Sequence, residues 1–245
     1  MTKPLRIAMW SGPRNISTAM MRAWENRSDT FVTDEPFYAH YLAHSEARHP
    51  GHDEILASQS TDWQQVVQQC ITIEQPGCDI HYQKHMTHHV LPHITLEWLA
   101  NLKNIFLIRS PEAVVASYAK SRPDLTTADL GFTQQTRLFN AVKDLLGATP
   151  LVIDSVKLIE KPRDAMQLLC DHCGIPFDES MLNWPAGKRD SDGVWAPYWY
   201  KNVEASTGFD APRKQSTIRL DKHQQQIVDQ CQPHYESMAI HSVDF

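Results

Sequence analysis

Short apolar runs alternate along the chain with longer amphipathic stretches, and the two patterns predict different elements. Runs at 5–10, 30–34, 79–84, 104–108 and 150–154 have the length of strands. Helical spacing covers 16–27, 62–74, 91–101, 111–120, 133–146 and about 219–232, and AMQLLCDHC at 165–173 reads as one more helix with a core-facing side. The segment from His40 to Ser60 is polar and without period, and reads as irregular. Residues 184–212 are rich in Trp, Tyr, Pro and Gly, again without period, and read as a long ordered loop or lid. Its Trp195, Tyr198, Trp199 and Tyr200 either seal the edge of the domain or roof an acceptor pocket. Strands alternating with helices imply an α/β fold, a central parallel sheet covered by helices on both faces. The expected organisation is a single domain over 1–245.

Composition narrows the function. Hydrophobic residues make up 42% and charged residues 21%, ordinary values for a globular chain. A net charge of −6 speaks against nucleic-acid binding, so the cations that matter must be local. No apolar run reaches the ~20 residues needed to span a bilayer, and the first strand starts at residue 5 with no leader before it, so no membrane association and a cytoplasmic location are expected. Five cysteines form no disulfide framework, and Cys170 and Cys173, one helical turn apart, suit a core better than a redox or zinc pair.

Two strand ends carry candidate chemistry. The first strand breaks into Ser11-Gly12-Pro13-Arg14-Asn15 and runs straight into a helix, whose first turn offers unpaired N–H groups and partial positive charge to an anion. Arg14 adds a permanent charge, Gly12 would let backbone approach a ligand, and Ser17 and Thr18 place hydroxyls on the first turn. The Gly-x-x-x-x-Gly-Lys-Ser/Thr spacing of nucleotide triphosphatases is absent. The fourth strand ends at Arg109, after which Ser110 is a candidate N-cap, Pro111 a first helical residue, and Ser117 lies two turns along. Both cations are expected at the crevice beyond the carboxyl ends of the strands, where ligands of open α/β sheets bind.

Pro13-Arg14-Asn15-Ile16-Ser17-Thr18 resembles the 5′-phosphosulfate loop of sulfotransferases that use 3′-phosphoadenosine 5′-phosphosulfate, and Arg109 with Ser117 resembles the pair that grips the donor's 3′-phosphate in that family. PLVIDSVKLIEKP at 150–162 and LLCDHCGIPFDES at 168–180 are similar to later family segments. The resemblance implies a three-layer P-loop-like fold, a nucleotide co-substrate and no metal. For the C-terminal phosphate clamp it offers Arg189, with Arg213 and Lys214 as rivals. For the general base it offers two candidates. Glu35, 21 residues after Arg14, resembles the glutamate of the tyrosyl-protein branch, and His85 resembles the histidine of cytosolic members. Lys84 would contact the sulfuryl group, and since adjacent strand residues face opposite sides, only one of Lys84 and His85 is expected to reach the crevice. A plainer reading of Glu35 is a carboxylate that pairs with Arg14 or caps a turn.

His85, His89 and His93 are four apart, yet no Glu or Cys completes a metal set and Pro92 interrupts the helix they would need. Two other functions stay open. A P-loop kinase or hydrolase draws support from Leu151-Val152-Ile153-Asp154, which looks like a Walker-B strand; a non-catalytic binder of adenosine bisphosphate would need Arg14, Arg109 and Ser117 alone. The acceptor is a small molecule or a peptide, and the oligomeric state, a homodimer included, is open.

Overall fold

A strand in the middle of a parallel sheet has no wet face, and the first strand of this chain shows what that demands of a sequence. The computed structural model describes residues 3–122, 124–209 and 219–245. In β1 (Leu5–Ser11), Ile7 and Met9 pack on one face with Met20, Met21 and Trp24 of α1 (Ser17–Glu25). Ala8 and Trp10 pack on the other face with Phe37, Trp98 and Phe106. Because side chains alternate with period 2, a run with no polar break fills two cores at once.

The remaining strands are β2 (Thr30–Asp34), β3 (Ile80–Met86), β4 (Lys103–Ile108) and β5 (Leu151–Asp154), and the sheet runs β2-β3-β1-β4-β5 with every pairing parallel. The chain therefore leaves β1 on one side, returns through β3, and crosses to β4 on the other, so the carboxyl ends of β1, β3 and β4 lie together. The α/β architecture with helices on both faces is the one expected.

After β2 come α2 (Tyr38–Ala43), α3 (His52–Ser58) and α4 (Trp63–Thr72). Two of these occupy the stretch expected to be irregular. They are too short to show a period, and tertiary packing makes them: Tyr38, Leu42 and Ile55 are buried against Trp195 and Tyr200 of the expected lid. A second difference follows β3. The helix expected at 91–101 is replaced by two 3-10 turns, Thr87–His89 and Glu97–Asn101, because β3 runs on to Met86 and Pro92 lacks the donor a helix would need.

The second half adds α5 (Pro111–Tyr118), α6 (Thr127–Leu130), α7 (Phe132–Leu146), α8 (Ser155–Glu160) and α9 (Pro162–Cys173). Ser110 sits at the N-cap of α5 but makes no side-chain capping bond there. Cys170 and Cys173 are both buried in the core beside α1, and burial raises their thiols to about 11 and about 12. The aromatic segment carries two one-turn helices, α10 (Ala196–Trp199) and α11 (Lys201–Glu204), and the chain closes with α12 (Lys222–Ala239), longer than expected and continuous through Pro233. Among the described residues, no helix is long and apolar enough to cross a membrane.

Strand β3 holds two imidazoles in the dry interior. His81 stacks on Phe31 at 4.3 Å, and His85 stacks on Trp10 at 4.2 Å with its Nε2 3.0 Å from Gln83 Oε1. Burial, aided by the Arg6 charge, depresses His81 to about 4; burial, aided by His81, depresses His85 to about 3. Unfolding returns both to the ordinary value near 6.5, so the unfolded chain binds more protons in the window between. Stability is complete above pH 6.5 and lost as the pH falls towards 4. The urea midpoint is expected to drop between pH 7 and pH 5, and His85→Phe to flatten the slope by about 1.4 kcal/mol per pH unit.

Candidate active site

Only three non-glycine residues among those described take a left-handed backbone: Arg14 (φ 59°), Ile16 (φ 51°) and Glu35 (φ 42°). All three line one cavity of about 670 Å³ at the carboxyl ends of the strands. Backbone of this kind is strained, most of all for a β-branched residue, and persists where the surroundings hold it. What holds the first loop is visible. Asn15 is buried and its Nδ2 donates to the carbonyl of Leu107 at 2.6 Å, while Gln135 of α7 donates to the same carbonyl at 2.9 Å. Ile16 takes the N-cap position of α1 with no side-chain cap, so the first-turn N–H groups stay open to the cavity that Ser17 and Thr18 also line.

Gly12 has a different role from the one expected. It does not line the cavity; a Cβ there would lie 2.7 Å from the carbonyl oxygen of Leu130, so glycine lets the loop pack against the α6–α7 junction rather than against a ligand.

Arg14 reaches across the cavity to α5, where its Nε donates to Ser117 Oγ at 3.0 Å. Arg109 donates from NH1 to the carbonyl of Arg14 at 2.5 Å. Burial and then the Arg14 charge lower the Arg109 pKa, the mark of a cation held beside another cation. Among the described residues, neither guanidinium has a carboxylate within 4.0 Å. Two half-buried like charges with no carboxylate in contact suit an anion, the Asp154 charge acting on Arg109 only from farther off.

The other end is built around Lys84, 1% exposed. Its Nζ donates to Asp34 Oδ1 at 2.9 Å, Glu35 Oε1 at 2.5 Å and the Tyr200 hydroxyl at 2.6 Å. An ammonium has three donors, and all three are used. The sulfuryl contact expected of Lys84 therefore has no N–H left to make it. The hydroxyl of Tyr200 in turn donates to Asp34 Oδ2 at 2.6 Å and accepts from Trp195 Nε1 at 3.0 Å. Burial is the larger influence on Glu35 and raises its pKa against the opposing pull of Lys84; for Lys84, burial pulls down but Asp34 and Glu35 together outweigh it, and the ammonium stays charged. Glu35 Oε1 is committed to Lys84, whereas Oε2 has no hydrogen bond and faces His89 Nδ1 at 3.9 Å.

The cavity wall thus joins Pro13, Arg14, Asn15, Ile16, Ser17 and Thr18 of the first loop with Arg109, Ser117, Glu35 and Lys84. It leaves out two other candidates. His85 points to the opposite face of β3 from Lys84 and is sealed between Trp10, Trp98 and Phe37, so it cannot take a proton from a ligand in the crevice. Arg189 lies away from the cavity, its N–H bound to Asp192, which pairs with the buried Arg22 in the second half of α1. Its rivals Arg213 and Lys214 lie outside the described residues. Asp154, the support for a kinase, is spent as the N-cap of α8 and as acceptor for Tyr235. The histidines at 85, 89 and 93 share no helix face, because a strand end and a 3-10 turn stand where the helix was expected. Among the described residues, no group of three or more His, Cys, Asp or Glu is placed to hold a metal ion.

With this geometry, a family profile described as "Sulfotransferase domain" matches residues 5–242. The chain belongs to the sulfotransferase domain family. Solved structures similar to it include the sulfotransferase domain of the curacin biosynthetic pathway (TM-score 0.56, 18% identity, covering 94% of this chain and 99% of that one) and a sulfotransferase from Alicyclobacillus acidocaldarius (TM-score 0.55, 10% identity, covering 100% and 98%). At these identities the likeness is one of fold. Two Arabidopsis thaliana proteins, branched-chain-amino-acid aminotransferase-like proteins 1 and 2, are 36% identical over 214 residues and 33% over 236. The alignments cover 87% and 96% of this chain but 38% and 41% of those proteins, so the chain spans well under half the length of these relatives.

Within this sulfotransferase domain, Trp199 and Tyr200 of the aromatic segment line the cavity, whereas Tyr38, His49 and His88 line it with no local signal to mark them, and His89 stands out in the sequence only by its spacing from His85 and His93. Lys84→Met strands two buried carboxylates, and urea unfolding is expected to show a loss of about 3–5 kcal/mol. Tyr200→Phe removes one hydroxyl from the network and is expected to cost about 1–3 kcal/mol in the same measurement.

Proposed function

We propose that the domain transfers a sulfuryl group from 3′-phosphoadenosine 5′-phosphosulfate to a hydroxyl or amine acceptor. The observation that carries this reading is the polarity of the cavity: two guanidiniums with no carboxylate in contact among the described residues and an open helix N-terminus at one end, a carboxylate with an oxygen outside any hydrogen bond at the other. A donor with two separate anionic ends suits the first half. Arg109, Ser117 and the Arg14 side chain that reaches Ser117 would hold the 3′-phosphate, and the N–H groups of the loop with Ser17 and Thr18 would hold the 5′-phosphosulfate.

The chemistry needs no covalent intermediate. The acceptor oxygen attacks sulfur, its proton passes to Glu35 Oε2, the sulfur–oxygen bond to the 5′-phosphate breaks, and adenosine 3′,5′-bisphosphate leaves with the charge spread over the first-turn N–H groups. Lys84 acts as a positioning residue that turns Oε2 rather than Oε1 towards the acceptor. A raised carboxyl pKa suits a base working near neutral pH.

Titration with adenosine 3′,5′-bisphosphate against AMP tests the donor. Wild type is expected to prefer the bisphosphate, and Arg109→Ala to lose that preference by about 10- to 100-fold; equal binding of AMP by wild type would refute the assignment. Glu35→Gln is expected to lower kcat by about 10² to 10⁴ with bisphosphate affinity kept. Because the base works deprotonated and its pKa is raised, kcat/KM should fall on acidification with a midpoint above the ordinary glutamate value of about 4.3.

A further inference from the structure

A buried arginine on α1 grips the aromatic segment at a point outside the cavity. Arg22 is 0% exposed, and its NH2 lies 2.6 Å from each carboxylate oxygen of Asp192, whose side chain is 4% exposed. Asp192 Oδ2 also accepts from the backbone N–H of Arg189 at 2.9 Å, and the Asp192 N–H donates to the Arg189 carbonyl at 3.1 Å, which closes a tight turn. Ser191 Oγ donates to Glu25 Oε1 at 2.5 Å, so α1 holds this turn at two places. Neither Arg22 nor Asp192 lines the cavity.

The residue after the turn reaches the sheet. Gly193 donates its N–H to Asp34 Oδ2 at 3.2 Å, the oxygen that also takes the Tyr200 hydroxyl at 2.6 Å. A Cβ at Gly193 would lie 2.1 Å from Cζ2 of Trp195, so glycine lets that indole approach the backbone while its Nε1 donates to Tyr200. Asp34 Oδ1 accepts from Lys84, and Lys84 donates in turn to Glu35 Oε1. A continuous run of buried contacts therefore leads from Arg22 through Asp192, Gly193, Asp34 and Lys84 to Glu35.

Stability is a weak reason for such a pair, since a buried ion pair gains little over hydrocarbon of the same volume. Placement is a stronger one. Arg22 stands on the helix whose open N-terminus lines the cavity, about 7 Å along the axis from Ser17. One rigid rod thus carries the anion cradle at its start and, through the turn at 189–192, the support of Glu35 at its end.

We propose that Arg22 and Asp192 are positioning residues, which through Gly193 and Asp34 hold Lys84, Trp195 and Tyr200 in the arrangement that leaves Glu35 Oε2 outside any hydrogen bond. This rests on the sulfuryl-transfer reading above, in which that oxygen takes the acceptor's proton. Without the pair, the turn leaves Asp34, Trp195 and Tyr200 loosen, and water reaches Glu35. The groups that face Glu35 are Lys84 and His89 from β3 and the turn after it, Asp34 from β2, Tyr38 from α2 and Tyr200 from the aromatic segment. Burial is the largest cause of the raised Glu35 pKa, so admitting water brings it down towards the ordinary value.

The test reads Glu35 itself and needs no acceptor. In the full chain labelled with carboxyl-¹³C glutamate, the Glu35 resonance, assigned by its loss in Glu35→Gln, is titrated with pH. The wild-type midpoint is expected above about 4.3. Arg22→Met combined with Asp192→Asn removes both charges of the pair, and is expected to lower the midpoint by about half a pH unit or more. Gly193→Ala, which displaces Trp195, is expected to lower it in the same way, whereas Arg22→Lys keeps a cation beside Asp192 and is expected to restore most of the wild-type value. Affinity for adenosine 3′,5′-bisphosphate is expected to stay within about threefold of wild type in every variant. A midpoint unmoved or raised in the double variant overturns the proposal, even where urea unfolds that variant more easily. If the double variant fails to fold, Gly193→Ala decides in its place. A loss of bisphosphate affinity by more than about tenfold with the Glu35 midpoint unmoved assigns the pair to the anion loop and overturns the proposal as well. Failure of wild type to bind the bisphosphate overturns the donor reading instead, and the Glu35 titration is measured independently of it.

Discussion

A lysine ammonium almost wholly removed from water must be met by oxygens on every N–H, and in this domain that demand organises one end of the cavity. Lys84 stands near the end of β3, and the oxygens it needs come from the last residue of β2, the residue after it, and Tyr200, 116 positions along the chain. Satisfying the ammonium draws the aromatic segment down onto the sheet, where Trp195 donates to the same Tyr200 hydroxyl. It also turns Glu35 into a left-handed backbone and leaves one carboxylate oxygen free. Buried ion pairs of this kind do little for net stability when compared with well-packed hydrocarbon. Their value here is geometric: they fix where a carboxylate oxygen points.

The opposite end obeys the reverse logic. Arg14 and Arg109 are brought together with no carboxylate within 4.0 Å among the described residues, and the backbone of the first loop is held in an unfavourable conformation by Asn15 and by the close approach that Gly12 permits to Leu130. Unsatisfied positive charge and backbone strain are concentrated in one place. That is the signature of a site whose last partner is a ligand. Between the two ends the cavity passes from cationic to neutral or acidic, and such a gradient orients a molecule carrying anions at one end and none at the other.

Much of the cationic end was legible from local sequence. Arg14, Ser17, Thr18, Arg109 and Ser117 sit at fixed distances from strand ends, and strand-to-helix junctions place their residues by local geometry alone. The Glu35 end was legible only in part. Glu35 could be singled out because it directly follows the second strand and resembles the glutamate of one family branch, and the opposed faces of Lys84 and His85 follow from strand period. Which of those two faced the cavity depended on which core lay behind β3: Trp10 and Trp98 claimed His85. His49, His88 and His89 come from short 3-10 and loop segments whose conformation is set by the groups packed over them, so no periodic signal marked them.

The sequence alone determined the alternation of strands and helices, the parallel sheet, and the placing of two cations at helix-opening strand ends, because each depends on hydrophobic period and on backbone chemistry within a few residues. Tertiary structure alone decided that Lys84 spends all its donors inside the protein, that Arg189 belongs to a different contact on α1, that α2 and α3 form at all, and that His49, His88 and His89 line the same cavity as Glu35. Those outcomes depend on burial and charge balance among residues tens to more than a hundred positions apart, and no local pattern encodes an energy shared over that distance.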